Sequence, residues 1–381
     1  MSTFTAYTAP AALPAQVASL ADHEDLARQR LDAMAWAYFH GGAADELTAR
    51  ANQRAWADLP LLPRVLRPLA GGHTRVQLLG RTLAHPILLA PVAHQRLAHP
   101  DGEIATALAA SALQAGLVLS TQASTLLEDV ARAYGRDAAN GPLWFQLYIQ
   151  PDRGYTRELL QRAEAAGYEA VVLTVDAPTS GARDRERRAG FALPPGLRAV
   201  NLDGLRPPPP AALQPGASAL FDDLLRHAPT WDDVAWLQAQ TRLPVLLKGI
   251  LHPDDARQAS RLQVAGLIVS NHGGRTLDTA VPTAQALPRI AQACQGALPL
   301  LVDGGIRRGT DVLKALALGA TAVLLGRPYV YGLANAGAAG VAHVLRLLRD
   351  ELEIAMALCG CRTVADIDAA LLDRESASSS T

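Results

Sequence analysis

Four residues of this chain, His272, Arg275, Lys248 and Asp176, are placed where their neighbours should hold them at the edge of an apolar interior. His272 and Arg275 flank Gly273-Gly274 and follow the apolar run Gly266-Leu267-Ile268-Val269, with Ser270 and Asn271 between. An imidazole can move a proton near neutral pH, and a guanidinium can hold a carboxylate with two parallel hydrogen bonds. The two glycines remove side-chain bulk, so a large or flat group could approach the backbone there. Alone, the stretch reads equally well as a turn carrying a solvated histidine and arginine. Lys248 ends the run Pro244-Val245-Leu246-Leu247, where a charge is costly unless it meets an anion. It could form a Schiff base or serve as a fixed positive charge. Asp176 closes another apolar run and could orient His272, or form a plain internal ion pair. Tyr148, after Gln146, is either a rim aromatic or a hydroxyl donor. Gly304-Gly305-Ile306-Arg307 and Gly326-Arg327 combine glycine turns with guanidinium groups. Such turns at a helix start form an anion site through backbone amides, unless the arginines are merely solvated.

These residues need elements to hold them in common. Apolar runs rich in Val, Ile and Leu recur at Ile87–Ala90, Leu117–Leu119, Leu143–Leu147, Ala170–Val175, Val245–Leu247, Leu267–Val269, Leu300–Val302 and Ala322–Leu325. They are continuous rather than alternating, as expected of parallel strands covered on both faces. Between them lie segments with helical periodicity, including Glu103–Ala115, Tyr155–Ala166, Asp254–Leu262 and Asp311–Leu318. Gly116, Gly167 and Gly319 stand where helix C-caps are expected. A further helix is expected from about Pro282. Eight strand–helix units predict a closed (β/α)8 TIM barrel, whose site lies at the C-terminal strand ends. There the chain places Pro91-Val92-Ala93, Ser120, Gln122, Gln146, Thr174, Lys248, Ser270, Asp303 and Arg327.

The expected layout is a single domain over 1–381 with the barrel at about 82–365, preceded by a largely helical extension to about Arg81. The long gap between Val175 and Val245 contains Pro194-Pro195, Gly204, Pro207–Pro210, Pro215 and Gly216. It predicts a lid loop at about 180–230, or a plain surface excursion. The ends, about 1–15 and 374–381, read as disordered.

Hydrophobic residues make up 49% of the chain and charged residues 19%, as in a soluble globular protein. A net charge of −1 offers no field for nucleic acid or an anionic membrane. Cys294, Cys359 and Cys361 have no metal-like or disulfide-framework spacing. No secretory signal or spanning segment is legible, so a cytoplasmic location is expected.

From about Leu31 to Ile367 the chain resembles the FMN-dependent L-2-hydroxy-acid oxidases and dehydrogenases, which include glycolate oxidase and lactate oxidase. The resemblance rests on Ala90-Pro91-Val92-Ala93, Phe145-Gln146-Leu147-Tyr148, Thr174-Val175-Asp176, Leu247-Lys248-Gly249, Val269–Arg275, Asp303-Gly304-Gly305-Ile306-Arg307-Arg308-Gly309 and Gly326-Arg327-Pro328, in that order. It implies that His272 takes the hydroxyl proton of an (S)-2-hydroxy acid as the α-hydrogen leaves for flavin N5, with Asp176 paired to His272. It implies further that Arg275 and Arg183 clamp the substrate carboxylate, that Tyr38 and Tyr148 hydrogen-bond the substrate, and that Lys248 faces the flavin N1/O2 edge.

The segment Pro91-Val92-Ala93 with Ser120, Gln146, Thr174 and Ser270 matches flavin-contacting positions. Asp303 matches the ribityl contact, and Gly304, Gly305, Arg307, Gly326 and Arg327 the phosphate site. Gln122 stands where glycolate oxidases carry Trp, and His94 where an apolar side chain is common; both positions border the substrate tail in the family. Ala93 in place of Gly is similar to the oxidases that release hydrogen peroxide, so O2 is the expected electron acceptor. The long loop also resembles the soluble oxidases, lacking the apolar insertion of a membrane-docked dehydrogenase. A quinone or cytochrome acceptor, and a non-catalytic FMN-binding barrel, are the alternatives; the Arg275/Arg183 clamp disfavours an isomerase. The family's usual assembly implies a homotetramer.

Overall fold

In the computed structural model of the chain the described residues are 13–205, 214 and 216–373. Both expected disordered ends lie wholly or largely outside them, as do Pro207–Pro210 and Pro215.

Three helices come first: α1 (Leu20–Arg30), α2 (Ala33–His40) and α3 (Leu47–Ala57). The helical expectation stops there. Residues 58–75 are irregular, and an antiparallel hairpin follows, β1 (Val76–Leu78) and β2 (Arg81–Leu83). The barrel then runs β3 (Ile87–Leu89), α4 (Gly102–Ala112), β4 (Gly116–Ser120), α5 (Leu127–Tyr134), β5 (Leu143–Leu147), α6 (Arg153–Ala166) and β6 (Ala170–Thr174). The lid carries the short α7 (Asp184–Arg188). It is followed by α8 (Trp231–Gln240), β7 (Val245–Ile250), α9 (Pro253–Arg261), β8 (Gly266–Val269), α10 (Thr283–Cys294), β9 (Leu300–Val302), α11 (Gly309–Ala317), β10 (Ala322–Leu325) and α12 (Arg327–Leu358). Strands β3 to β10 pair in parallel and close through β10–β3, giving the predicted (β/α)8 barrel.

Alternation along each strand sorts the apolar runs into two layers. Leu88, Val118, Trp144, Val172, Leu246, Ile268, Leu301 and Leu324 form the inner layer, which Leu78 and Leu83 of the hairpin plug from the N-terminal end. Their neighbours, such as Leu89, Leu119, Phe145, Leu173 and Val269, pack outward against the helices. Both faces are buried, which is why the strands read as unbroken apolar runs.

Local chemistry sets the helix ends. Asp152 caps α6 by accepting from Gly154 and Tyr155 N–H, and Gly167 closes that helix at φ +92. Gly116 is not a cap. Helix α4 ends at Ala112, the reversal falls on Gln114 (φ +57), and Gly116 is the first residue of β4. A Cβ on Gly116 would lie 2.6 Å from Leu88 Cγ, so the glycine is required by strand packing.

Candidate active site

Two residues beyond each inner-layer side chain, the same strand register points into the barrel mouth. The positions reached are Ala90, Ser120, Gln146, Thr174, Lys248, Ser270, Asp303 and Gly326, so the interior changes from apolar to mostly polar in one step. Above this ring lies a cavity of about 950 Å³. It is lined by Tyr38, Pro91, Val92, Ala93, Gln122, Tyr148, Arg183, His272, Arg275, Gly304, Gly305, Arg307 and Arg327, and by every ring position except Ser270. Ser270 is fully buried behind Lys248, and Asp176 stands behind His272. His94 is buried outside the lining, so of the two residues expected around a substrate tail only Gln122 meets the cavity. Lid residues Leu202, Leu224 and His227 also line it, so the insertion folds over the site instead of straying across the surface.

His272 sits in the left-handed region (φ +57), as do Gly273 and Gly274 after it, which turns the chain sharply at the end of β8. Its N–H donates to Ser270 Oγ (3.0 Å), and Nδ1 lies 3.0 Å from Asp176 Oδ1, so Nε2 is the ring nitrogen not engaged by Asp176. Asp176 approaches this closely because Gly249 (φ +116) lacks a side chain: a Cβ there would fall 2.4 Å from Asp176 Cβ. Burial pushes His272 below the ordinary imidazole range, and the Asp176 charge opposes that only in part. Burial raises Asp176, but the His272 ring hydrogen-bonded to it and the nearby Lys248 charge outweigh that, and the carboxyl ends below its usual value. A neutral imidazole oriented by a carboxylate is a competent general base.

The loop is braced from α3. Asn52 and Asn271 exchange two amide hydrogen bonds, both 2.8 Å. The clearance at Gly273-Gly274 serves the protein itself. A Cβ on Gly273 would meet Arg327 Nη1 at 2.8 Å, and one on Gly274 would meet Ala49 N at 2.5 Å. The expectation that these glycines make room for a bound group is therefore corrected.

Lys248 Nζ donates to Ser270 Oγ (2.9 Å) and pairs with Asp303 Oδ2 (3.1 Å). Burial would lower its pKa, but the Asp303 and Asp176 carboxylates more than reverse this, so the ammonium is held charged. A lysine kept protonated is a poor Schiff-base nucleophile and a good fixed cation. Asp303 lines the cavity, and its Oδ1 is buried without a hydrogen-bond partner. Gln146 Oε1 accepts from Ser120 Oγ (3.3 Å) and its Nε2 donates to Thr174 Oγ1 (3.0 Å), a polar ladder across three strands.

Arg275 Nη1 donates to the Tyr38 and Gly41 carbonyls, with its guanidinium carbon 5.2 Å from the Tyr38 ring centroid. Arg183 reaches the same space from the lid. Burial raises both tyrosine hydroxyls, Tyr148 to about 12 and Tyr38 likewise upward, so each remains a protonated donor. One participant was missed in the sequence: Glu186, whose Oε1 accepts from Arg183 Nη1 (3.0 Å) and Arg275 Nη2 (3.3 Å). Its only sequence signal is the i,i+3 spacing from Arg183.

At the opposite end, Arg327 is anchored to main chain. Nε donates to the Phe39 and His40 carbonyls (3.1 Å each), Nη1 to Gly273 O and Nη2 to Gly41 O (2.8 Å each). The C-terminal carbonyls of α2 thus receive a cation, as they should. The start of α11 differs from expectation. Its amides are already taken, Arg307 and Arg308 N–H by Asp311 Oδ2 and Gly309 N–H by Glu351 Oε2. An anion here would rely on the Gly304-Gly305 and Gly326 turns with the remaining donors of Arg307 and Arg327.

Two observations fit a flavin mononucleotide along this floor. The orphaned Asp303 carboxylate oxygen can accept from a polyol chain, and a Cβ on Gly326 would meet nothing within 4 Å, a bare cradle beside two arginines. The cavity is also of cofactor size. Among the described residues no group of three or more His, Cys, Asp and Glu side chains could hold a metal ion.

The model of the FMN-dependent dehydrogenase family matches residues 27–374. The chain is 52% identical over 356 residues to an L-lactate oxidase of Alicycliphilus denitrificans, covering 93% of this chain and 96% of that protein. It is 42% identical over 353 residues to the glycolate oxidase of Spinacia oleracea, covering 92% and 94%. Among solved structures, mandelate oxidase with benzoyl-formic acid superposes with a TM-score of 0.83 at 42% identity, covering 94% of this chain and 98% of that one.

Proposed function

From membership of the FMN-dependent dehydrogenase family, to which this chain belongs, we propose that the protein oxidises a small (S)-2-hydroxy acid to the 2-oxo acid with O2 as electron acceptor. The observation that carries this reading is the convergence on one cavity of the His272–Asp176 pair and the Arg183/Arg275 pair, above the Lys248–Asp303 floor.

Arg275 and Arg183 bind the carboxylate, and the Tyr38 and Tyr148 hydroxyls orient the substrate hydroxyl and carboxylate. His272 Nε2 accepts the hydroxyl proton, and Asp176 at Nδ1 stabilises the imidazolium formed. Lys248 keeps a positive charge on the barrel floor before substrate arrives, so no reorganisation is needed when negative charge develops there. The residues that would hold FMN are Pro91, Val92, Ala93, Ser120, Gln146, Thr174, Lys248, Ser270 and Asp303, with Gly304, Gly305, Arg307, Gly326 and Arg327 at the phosphate. FMN held there would supply a two-electron acceptor for the oxidation of the hydroxy acid, with O2 as the final acceptor giving hydrogen peroxide.

Gln122 in the lining leaves space for a side chain beyond that of glycolate, and the relatives named L-lactate oxidase make lactate the first substrate to test. The test is His272→Ala, assayed by flavin bleaching without air over lactate, glycolate, mandelate and longer 2-hydroxy acids. Loss of bleaching by about 10²-fold or more is expected; unchanged bleaching with every acid removes His272 as the base. Reoxidation of the bleached wild type in aerated buffer then checks the acceptor.

The finer reading is a cytoplasmic homotetramer. All three cysteines are free and buried, as in a reducing compartment. No helix among the described residues is long and apolar enough to cross a membrane. Leu62, Val65, Leu66, Ile354 and Leu358 are exposed apolar side chains of the kind that self-association covers. Sedimentation velocity checks the assembly, and a monomer would end that part of the reading.

A further inference from the structure

One charged group lining the cavity has no part in the reaction described above: Glu186, on α7 of the lid. Its Oε1 accepts from Arg183 Nη1 at 3.0 Å and from Arg275 Nη2 at 3.3 Å. The three side chains are only 18%, 15% and 16% exposed for Arg183, Glu186 and Arg275, so their charges are poorly screened. Arg183 comes from the segment entering the lid helix and Arg275 from the loop after β8, and two adjacent buried guanidinium groups repel each other. One carboxylate between them cuts the charge of the clamp from two positive units to one.

What remains is suited to a single further carboxylate. Arg183 Nε is buried without a partner, so a donor is still available after Glu186 is satisfied. Arg275 Nη1 is already committed to the Tyr38 and Gly41 carbonyls, and cannot swing away to meet a second anion elsewhere.

We propose that Glu186 is a positioning and specificity residue, which holds Arg183 of the lid against Arg275 of the barrel and matches the clamp to substrates carrying one carboxylate. Doubly charged acids are disfavoured because the clamp, with Glu186 in place, has one unit of positive charge to offer. The proposal rests on the carboxylate-clamp reading of Arg183 and Arg275.

The test uses the FMN-loaded enzyme, titrated with acetate and with oxalate and followed by the change in flavin absorbance. Glu186→Gln keeps the shape and removes the charge. The ratio of acetate to oxalate Kd should then rise by roughly tenfold or more, since one unit charge at contact distance in a partly buried site is worth at least that much. Glu186→Asp keeps the charge and should stay near the wild-type ratio. A merely structural role would move both Kd values together. Equal changes for the two anions in Glu186→Gln, or a shift of the ratio toward acetate, overturn the proposal. Should Glu186→Gln fail to retain FMN, Glu186→Ala carries the same expectation. A wild-type enzyme that binds neither anion overturns the clamp reading, and this inference with it.

Discussion

Lys248 reaches from β7 past β8 to meet Asp303 at the end of β9, Nζ and Oδ2 standing 3.1 Å apart with the two side chains 4% and 9% exposed. Each charge is tolerated inside the barrel because the other is there. Lys248→Met should therefore destabilise the protein by about 3–5 kcal/mol, because it leaves a buried carboxylate without its cation. Urea unfolding of wild type and variant measures this, and a loss under about 1 kcal/mol would show that the pair is not needed for the fold.

The His272–Asp176 pair sets a pH dependence with a definite sign. Burial holds His272 below the ordinary imidazole range. A base with a lowered pKa stays unprotonated further into acid, so kcat/KM should hold through neutrality and fall only below about pH 6.5. Asp176→Asn removes the group that raises this pKa. The acid limb should move to still lower pH, while kcat drops by roughly 10²-fold or more for want of imidazolium stabilisation. An acid limb that moved upward in this variant would contradict the assignment.

Two glycines of the phosphate end separate binding from folding. A Cβ on Gly305 (φ +88) would lie 2.5 Å from Asn52 O, against the backbone of α3, so the space it protects belongs to the chain and not to a bound phosphate. Gly305→Ala should cost the fold itself about 1–3 kcal/mol from backbone strain alone. Gly326 faces open cavity. Gly326→Val should lower the flavin-to-protein ratio after dialysis while leaving the circular dichroism spectrum unchanged. Full flavin content in that variant would move the phosphate away from Gly326.

Gln122 lines the cavity, and the proposed function places it beside the substrate tail. Gln122→Trp should favour short acids over long ones by roughly tenfold or more in kcat/KM, since one or two lost methylene contacts are worth that much. A substrate panel from glycolate upward reads the ratio; an unchanged ratio would place the tail elsewhere.

Much of this was legible in the chain itself, for a physical reason. Parallel strands buried on both faces leave unbroken apolar runs, so all eight strands and the polar residues that end them could be located. Lys248, Asp303 and His272 stand where those runs stop. What stayed hidden depends on contacts between segments distant in sequence. Glu186 acquires meaning only when the lid meets the loop after β8, and Gly273-Gly274 only when Arg327 and α3 are seen to fill the space beside them. Likewise, Glu351 takes the Gly309 amide from 42 residues away, whereas Asp311, three residues past Arg308, caps α11 by a local pattern that was legible in the sequence and missed.

The carbonyl groups at the end of α2 receive Arg327 and Arg275, and Asn52 of α3 grips Asn271. The eight-stranded barrel is thus not a self-contained module to be excised or grafted. Any shortened version beginning at the first barrel strand would strip two arginines of their anchors and set the histidine loop adrift, so a minimal enzyme must start upstream of α2.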